Sequence, residues 1–126
     1  MAERSLPNLE GNNLVLAQAL DPWVWAFINK IRLVGADFEF EGHEFQAEPM
    51  RAETRTVTVR KGTQMSFTEG SVLRVLHSLI HGKWPKGCLY LFPTQDTVTD
   101  FSASRFNPLI RDNPGSIGKF VGDTNR

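Results

Sequence analysis

The sequence predicts an α/β chain in which a parallel sheet is flanked by helices and preceded by a helical lead-in. Three observations carry that prediction. The run Arg55-Thr56-Val57-Thr58-Val59-Arg60 is rich in β-branched residues, as strands are. Apolar residues then recur at helical spacing from Val72 to Ile80. Finally, Cys88-Leu89-Tyr90-Leu91-Phe92 is a short continuous apolar run, the pattern of a strand covered on both faces. Strand, helix and strand in that order form a parallel pair joined by a crossover helix.

Residues 1–20 carry Pro7, Gly11 and two asparagines that interrupt helical patterning, so they read as an amino-terminal arm, with the domain proper at residues 21–126. Asp21-Pro22 supplies an N-cap with proline in the first turn. Trp23, Phe27, Ile31 and Val34 follow at steps of three or four, which predicts a helix over residues 22–34 closed by Gly35. Phe38 and Phe40 alternate with charged residues as an extended stretch would, until Gly42 and Pro49 break the pattern.

The segment from Lys61 to Thr68 is polar and turn-like, and the helix after it stops at Gly82. Trp84-Pro85-Lys86-Gly87 turns into the second strand. Thr94 or Asp96 caps a further helix in which Val98, Phe101, Arg105 and Phe106 share or border one face, and which can kink at Pro108 and run on to Ile110. Asn113-Pro114-Gly115 then turns the chain.

Bulk composition narrows the function classes. The 126 residues suit one domain or part of one, and the 14 basic residues balance the 14 acidic ones, so no net field draws the whole molecule toward a polyanion. Cys88 is the single cysteine, which suits a reducing compartment and core packing. No stretch approaches the roughly 20 apolar residues of a membrane span, nor does the amino end resemble a signal peptide.

The chemistry centres on the loop between the first strand and its helix. Such a loop holds phosphates because free backbone amides and the helix dipole both face the anion. The general signature, G-x-x-x-x-G-K-[ST], puts a lysine beside the helix start and a hydroxyl on magnesium. Here Thr68 supplies the hydroxyl, but Phe67 precedes it, Ser66 stands at the second glycine, and the nearest lysine, Lys61, lies at the far end. The plain alternative is an ordinary connection in which Gly62 makes a turn and Thr68 caps the next helix.

RKGTQMSFTE, residues 60–69, resembles the motif R-K-G-A-Q-x-G-F-[ST]-E of the large terminase subunit of tailed phages. TEGSVLRVLHSLIHG, GCLYLFPTQDTV, DFSASRFNPLIRDNP and the upstream FEFEGHEFQAEPM resemble successive pieces of the same ATPase domain, and the resemblance is taken to extend over residues 38–124. The resemblance implies a partial P-loop NTPase, truncated after its first two core strands, since an acidic magnesium-binding strand does not follow. It also implies ATP and Mg2+ as cofactors. Lys61 becomes the phosphate-binding cation. The cradle runs through Gly62, Thr63, Gln64, Met65, Ser66 and Phe67. Thr68 becomes the magnesium ligand, and Gln46 the residue that recognises adenine. The implied activity is ATP hydrolysis coupled to DNA translocation in packaging, in the host cytoplasm. Duplex DNA, a small terminase subunit and a portal protein would be partners, with a homo-oligomer in the parent protein and no membrane. Nuclease action belongs to another region of that family. A helicase-like P-loop ATPase and a small non-catalytic α/β interaction module are the alternatives.

Other residues invite chemistry less strongly. His77 and His81 are four apart, as zinc ligands can be, but with no HExxH glutamate between them they suit capping or a surface position. Trp23, Trp25 and Phe27 suit a core face better than a stack for bases. Asp96 suits a helix cap, while Arg105 and Arg111 suit surface ion pairs.

Overall fold

A computed structural model describes residues 11–34, 36–39, 41–63 and 66–122. Six helices dominate it: α1 (Asn12–Leu20), α2 (Pro22–Ile28), α3 (Ala47–Arg51), α4 (Phe67–Ile80), α5 (Gln95–Phe101) and α6 (Asn107–Asp112). Two two-residue strands, β1 (Arg32–Leu33) and β2 (Ala36–Asp37), pair antiparallel, Arg32 opposite Asp37 and Leu33 opposite Ala36. They form the one sheet among the described residues.

That architecture overturns the α/β expectation of a partial P-loop fold with a parallel sheet, because the chain is mostly helical. Residues 53–63 run exposed, and residues 88–92 enter no ladder among the described residues. The reason lies in what an apolar run can pack against. A strand is stable only with a partner for its amides and cover for its faces. Here Tyr90 and Phe92 lie against α5 instead, with ring centroids 6.0 and 4.8 Å from Phe101. Leu89 and Leu91, pointing the other way, are 80% and 77% exposed. Cys88, expected in the core, is exposed as well.

Helix starts follow their local chemistry. Asp21 Oδ1 accepts from the amides of Trp23 and Val24 at 2.9 and 3.3 Å, and Pro22 occupies the first turn. Thr94 Oγ1 accepts from Thr97 N at 3.2 Å and opens α5. At the end of α4, Gly82 takes φ +71°, and the Lys83 amide reaches back to Ser78 O at 2.8 Å.

Helix ends diverge more from expectation. α2 stops at Ile28, because Lys30 turns left-handed at φ +48° and drives Ile31 into the core. Phe27 and Val34, expected on the buried face, are exposed, while Trp23, Val24, Trp25 and Ala26 are buried. The expected arm contains α1 from residue 12; residues 1–10, Gly35 and Phe40 lie outside the described residues. α5 does continue toward Ile110, through a π-helical turn over Ser102–Phe106 in which the Asn107 amide bonds to Ser102 O. Pro108 has no amide to give to an α-helical ladder, and the wider turn just before it accommodates the loss.

The core gathers Trp23, Trp25, Ala26, Ile31, Phe38, Met50, Val72, Leu73, Leu76, Leu109 and Ile117. α2 and α3 both pack on α4, and α6 packs on β1. The larger aliphatic and Phe side chains among them each stabilise the fold by roughly 1.5–3 kcal/mol when fully buried. Asn113 ties β1 to the carboxyl end of α6. Its Oδ1 accepts from Arg32 N at 2.7 Å, and its Nδ2 donates to Arg32 O and Leu109 O, both at 2.8 Å. No helix among the described residues is long and apolar enough to cross a membrane.

Candidate phosphate-binding site

The site forms where the extended segment before α4 meets the amino end of that helix. α4 opens at Ser66, whose backbone is left-handed at φ +52° and ψ +19° and whose side chain makes no capping bond. A helix start leaves its first amides without intrahelical partners and carries partial positive charge, so this end favours an anion. Thr68 sits inside the first turn and therefore does not cap the helix, against the plain alternative for the loop.

Beside that helix end lies an open pocket of about 560 Å³. Phe45, Pro49, Val59 and Phe67 give it apolar walls, and Arg60, Lys61 and Gly62 form its polar side. Lys61 Nζ donates to Gly62 O at 3.2 Å in an exposed contact. A pocket with aromatic walls and a cationic side is chemically suited to a nucleotide, whose base is flat and apolar on its faces and whose phosphates are anionic.

The predicted site residues divide between neighbouring places. Lys61, Gly62 and Phe67 share the pocket, and Thr63 is exposed in the turn just past it. Ser66 marks the helix start. Gln64 and Met65 lie outside the described residues. Thr68 borders an adjoining hollow with Glu69, Phe101 and Arg105. Glu69 and Arg105 form an ion pair there.

Gln46 is buried in the short 3-10 turn Glu44–Gln46, and its side chain packs on Gly70 of α4. A Cβ on Gly70 would stand 2.5 Å from Gln46 Oε1, so glycine is what lets the turn approach the helix so closely. That approach holds the neighbouring Phe45 and Pro49 at the pocket. Both were missed as site residues. Their one sequence signal was the aromatic stretch upstream, whose partner across space lies some twenty residues further on.

The remaining candidates take structural places. His81 Nδ1 donates to His77 O at 2.9 Å, closing α4. His77 is fully buried, so neither a surface nor a capping role applies to it. Asp96 lies in the first turn of α5, and Arg111 pairs with its neighbour Asp112.

Ser66 offers a direct check on the loop's conformation. A non-glycine residue in the left-handed region is strained by about 1–2 kcal/mol, of which glycine's greater freedom in the unfolded chain offsets a part. Ser66→Gly is therefore expected to raise the unfolding free energy by about 0.5–1 kcal/mol in urea titrations. A lower stability in the variant would contradict this backbone assignment.

The model of one protein family, described as phage terminase large subunit gpA, ATPase domain, matches residues 42–125. No curated protein and no solved structure matches the chain.

Proposed function

The chain belongs to the ATPase-domain family of the phage terminase large subunit gpA, a DNA-packaging ATPase, and we propose that its segment from Lys61 to Thr68 binds the triphosphate of ATP. The observation that carries this reading is the convergence of Lys61, Gly62 and Phe67 on one pocket beside an uncapped helix start. Membership also favours the packaging ATPase over a helicase-like one.

In this reading the first-turn amides of α4 hold phosphate oxygens, and the Lys61 ammonium offsets their charge. Phe45 and Phe67 flank the base, while Gln46 keeps the turn that bears Phe45 against the helix. Lys61 must leave the Gly62 carbonyl to reach the first turn. That contact is exposed, so water replaces it at little cost.

Magnesium on a nucleotide is held largely by phosphate oxygens and water, so a single protein hydroxyl in the first turn, that of Thr68, is a fitting ligand. Held there by the Thr68 hydroxyl, the ion would supply positive charge to offset that of the phosphates. The same proposal extends to hydrolysis coupled to translocation of duplex DNA in the host cytoplasm. In this reading the protein works as a homo-oligomer with a small terminase subunit and a portal protein.

Isothermal titration of magnesium-ATP into the protein tests the site. Lys61→Ala is expected to weaken binding by about tenfold or more, since charge-assisted bonds to phosphate contribute roughly 1.5–3 kcal/mol. Lys61 is exposed, so the variant should keep the parent's circular dichroism spectrum. Equal affinities in the two proteins would remove Lys61 from the site.

A further inference from the structure

A second open cleft, of about 640 Å³, shares no lining residue with the Lys61 pocket and lies between the segment following α3, α4 and the turn at Lys83 and Trp84. Arg51, Arg55, Arg74 and Lys83 line it, against one carboxylate, Glu53. A chain with no net charge has therefore concentrated positive charge in one concavity.

The cations are held to different degrees. Arg51 is paired with Asp21 at 2.7 Å. Lys83 Nζ donates to Leu20 O at 3.1 Å and stands 3.8 Å from Glu53. Arg74 donates through one nitrogen to Ala52 O, and its guanidinium lies 5.9 Å from the centre of the Trp84 ring. Arg55, on the exposed extended segment, has no ion pair among the described residues. The fixed groups give the cleft its shape, and Arg55 together with the remaining donors of Arg74 is available to an incoming anion.

We propose that this cleft is a second anion site that takes the phosphodiester backbone of nucleic acid, with Arg55 and Arg74 as its phosphate contacts. Two arginines suit phosphate because each guanidinium presents paired donors to two oxygens at once. The Trp84 ring backs the Arg74 guanidinium and helps hold it in the cleft. The proposal rests on the packaging function for the choice of duplex DNA as the probe, and not on the Lys61 assignment.

Fluorescence anisotropy with a labelled 20-base-pair duplex, over a series of salt concentrations, tests it on the whole chain. Arg55→Glu is expected to weaken binding by about tenfold at low salt and to lower the slope of log affinity against log salt by about one, the loss of one phosphate contact. Arg55 is exposed, and a circular dichroism spectrum like the parent's is expected of the variant. Magnesium-ATP affinity should stay that of the parent, which separates this site from the Lys61 pocket. Lys119→Glu, an exposed charge reversal elsewhere, should leave DNA binding as it was. The proposal is overturned if Arg55→Glu binds the duplex with the parent's affinity and slope, or if Lys119→Glu weakens it equally. Competition by polyglutamate as effective as that by unlabelled duplex would also overturn it, because the cleft would then take carboxylates.

Discussion

Asn113→Ala is expected to destabilise the fold by about 3 kcal/mol. The side chain makes three hydrogen bonds of 2.7–2.8 Å, two to the backbone of Arg32 and one to Leu109 O, and it is buried. Alanine removes all three and leaves their partners under-bonded, Leu109 O in a buried position and the Arg32 backbone in a part-buried one. Each loss then costs about 1 kcal/mol or more. Asn113→Asp is the informative companion. It keeps the acceptor for the Arg32 amide but sets carboxylate oxygen against two carbonyls, so it should be no more stable than the alanine variant. Urea unfolding followed by tryptophan fluorescence reads both. A loss below about 1 kcal/mol for alanine would mean that the clamp between β1 and α6 contributes little.

Acid should weaken the protein through His77. Burial lowers its pKa from 6.5 to about 4, helped by the positive charge of His81 and Lys83 and opposed by the hydrogen bond to Gln18 O and by Asp21. Nε2 donates to that carbonyl at 2.7 Å, and Nδ1 is buried without a partner, so the folded state holds a neutral ring. The His81 ring lies tilted against it at 4.3 Å and Trp25 meets it edge-on at 5.6 Å, which leaves little room to solvate a charge.

The sign of the effect follows directly. Between pH 6.5 and about 4 the unfolded chain binds a proton that the folded chain refuses, so stability is full above 6.5 and falls with pH across that window. The limit is about 3 kcal/mol, from 1.36 kcal/mol per pKa unit. His77→Leu should be less sensitive to acid than the parent by about that amount between pH 7 and pH 4, whatever its stability at neutral pH. Parallel pH profiles of the urea midpoint would sink the assignment.

How much was legible in the sequence depends on how local its cause was. Asp21-Pro22 and Thr94 announced their helices because an N-cap bond spans two or three residues. The period from Val72 to Ile80 announced α4, since one buried face repeats every turn. The strands failed because a ladder needs a neighbour that no short window contains. Val57 and Val59 have β-branched side chains, yet the fold gives them exposure rather than a partner. The end of α2 was equally hidden, as Lys30 has no residue-type signal for a left-handed turn. At the site, the stretch from Lys61 to Phe67 was visible as a string, and its placement at a helix start followed from α4. Phe45 and Pro49 were not, because they reach the pocket only through the contact of Gln46 with Gly70. Asn113, read as a turn residue, owes its role to a partner 81 positions away.

The π-helical turn at Ser102–Phe106 divides one continuous rod into two unequal halves. Beyond it, α6 is moored by Leu109 and the Asn113 clamp; before it, α5 buries no residue fully. The two segments are therefore anchored separately, α6 through Leu109 and Asn113 and α5 through Phe101 against the core, and the joint between them absorbs the change of register that Pro108 imposes.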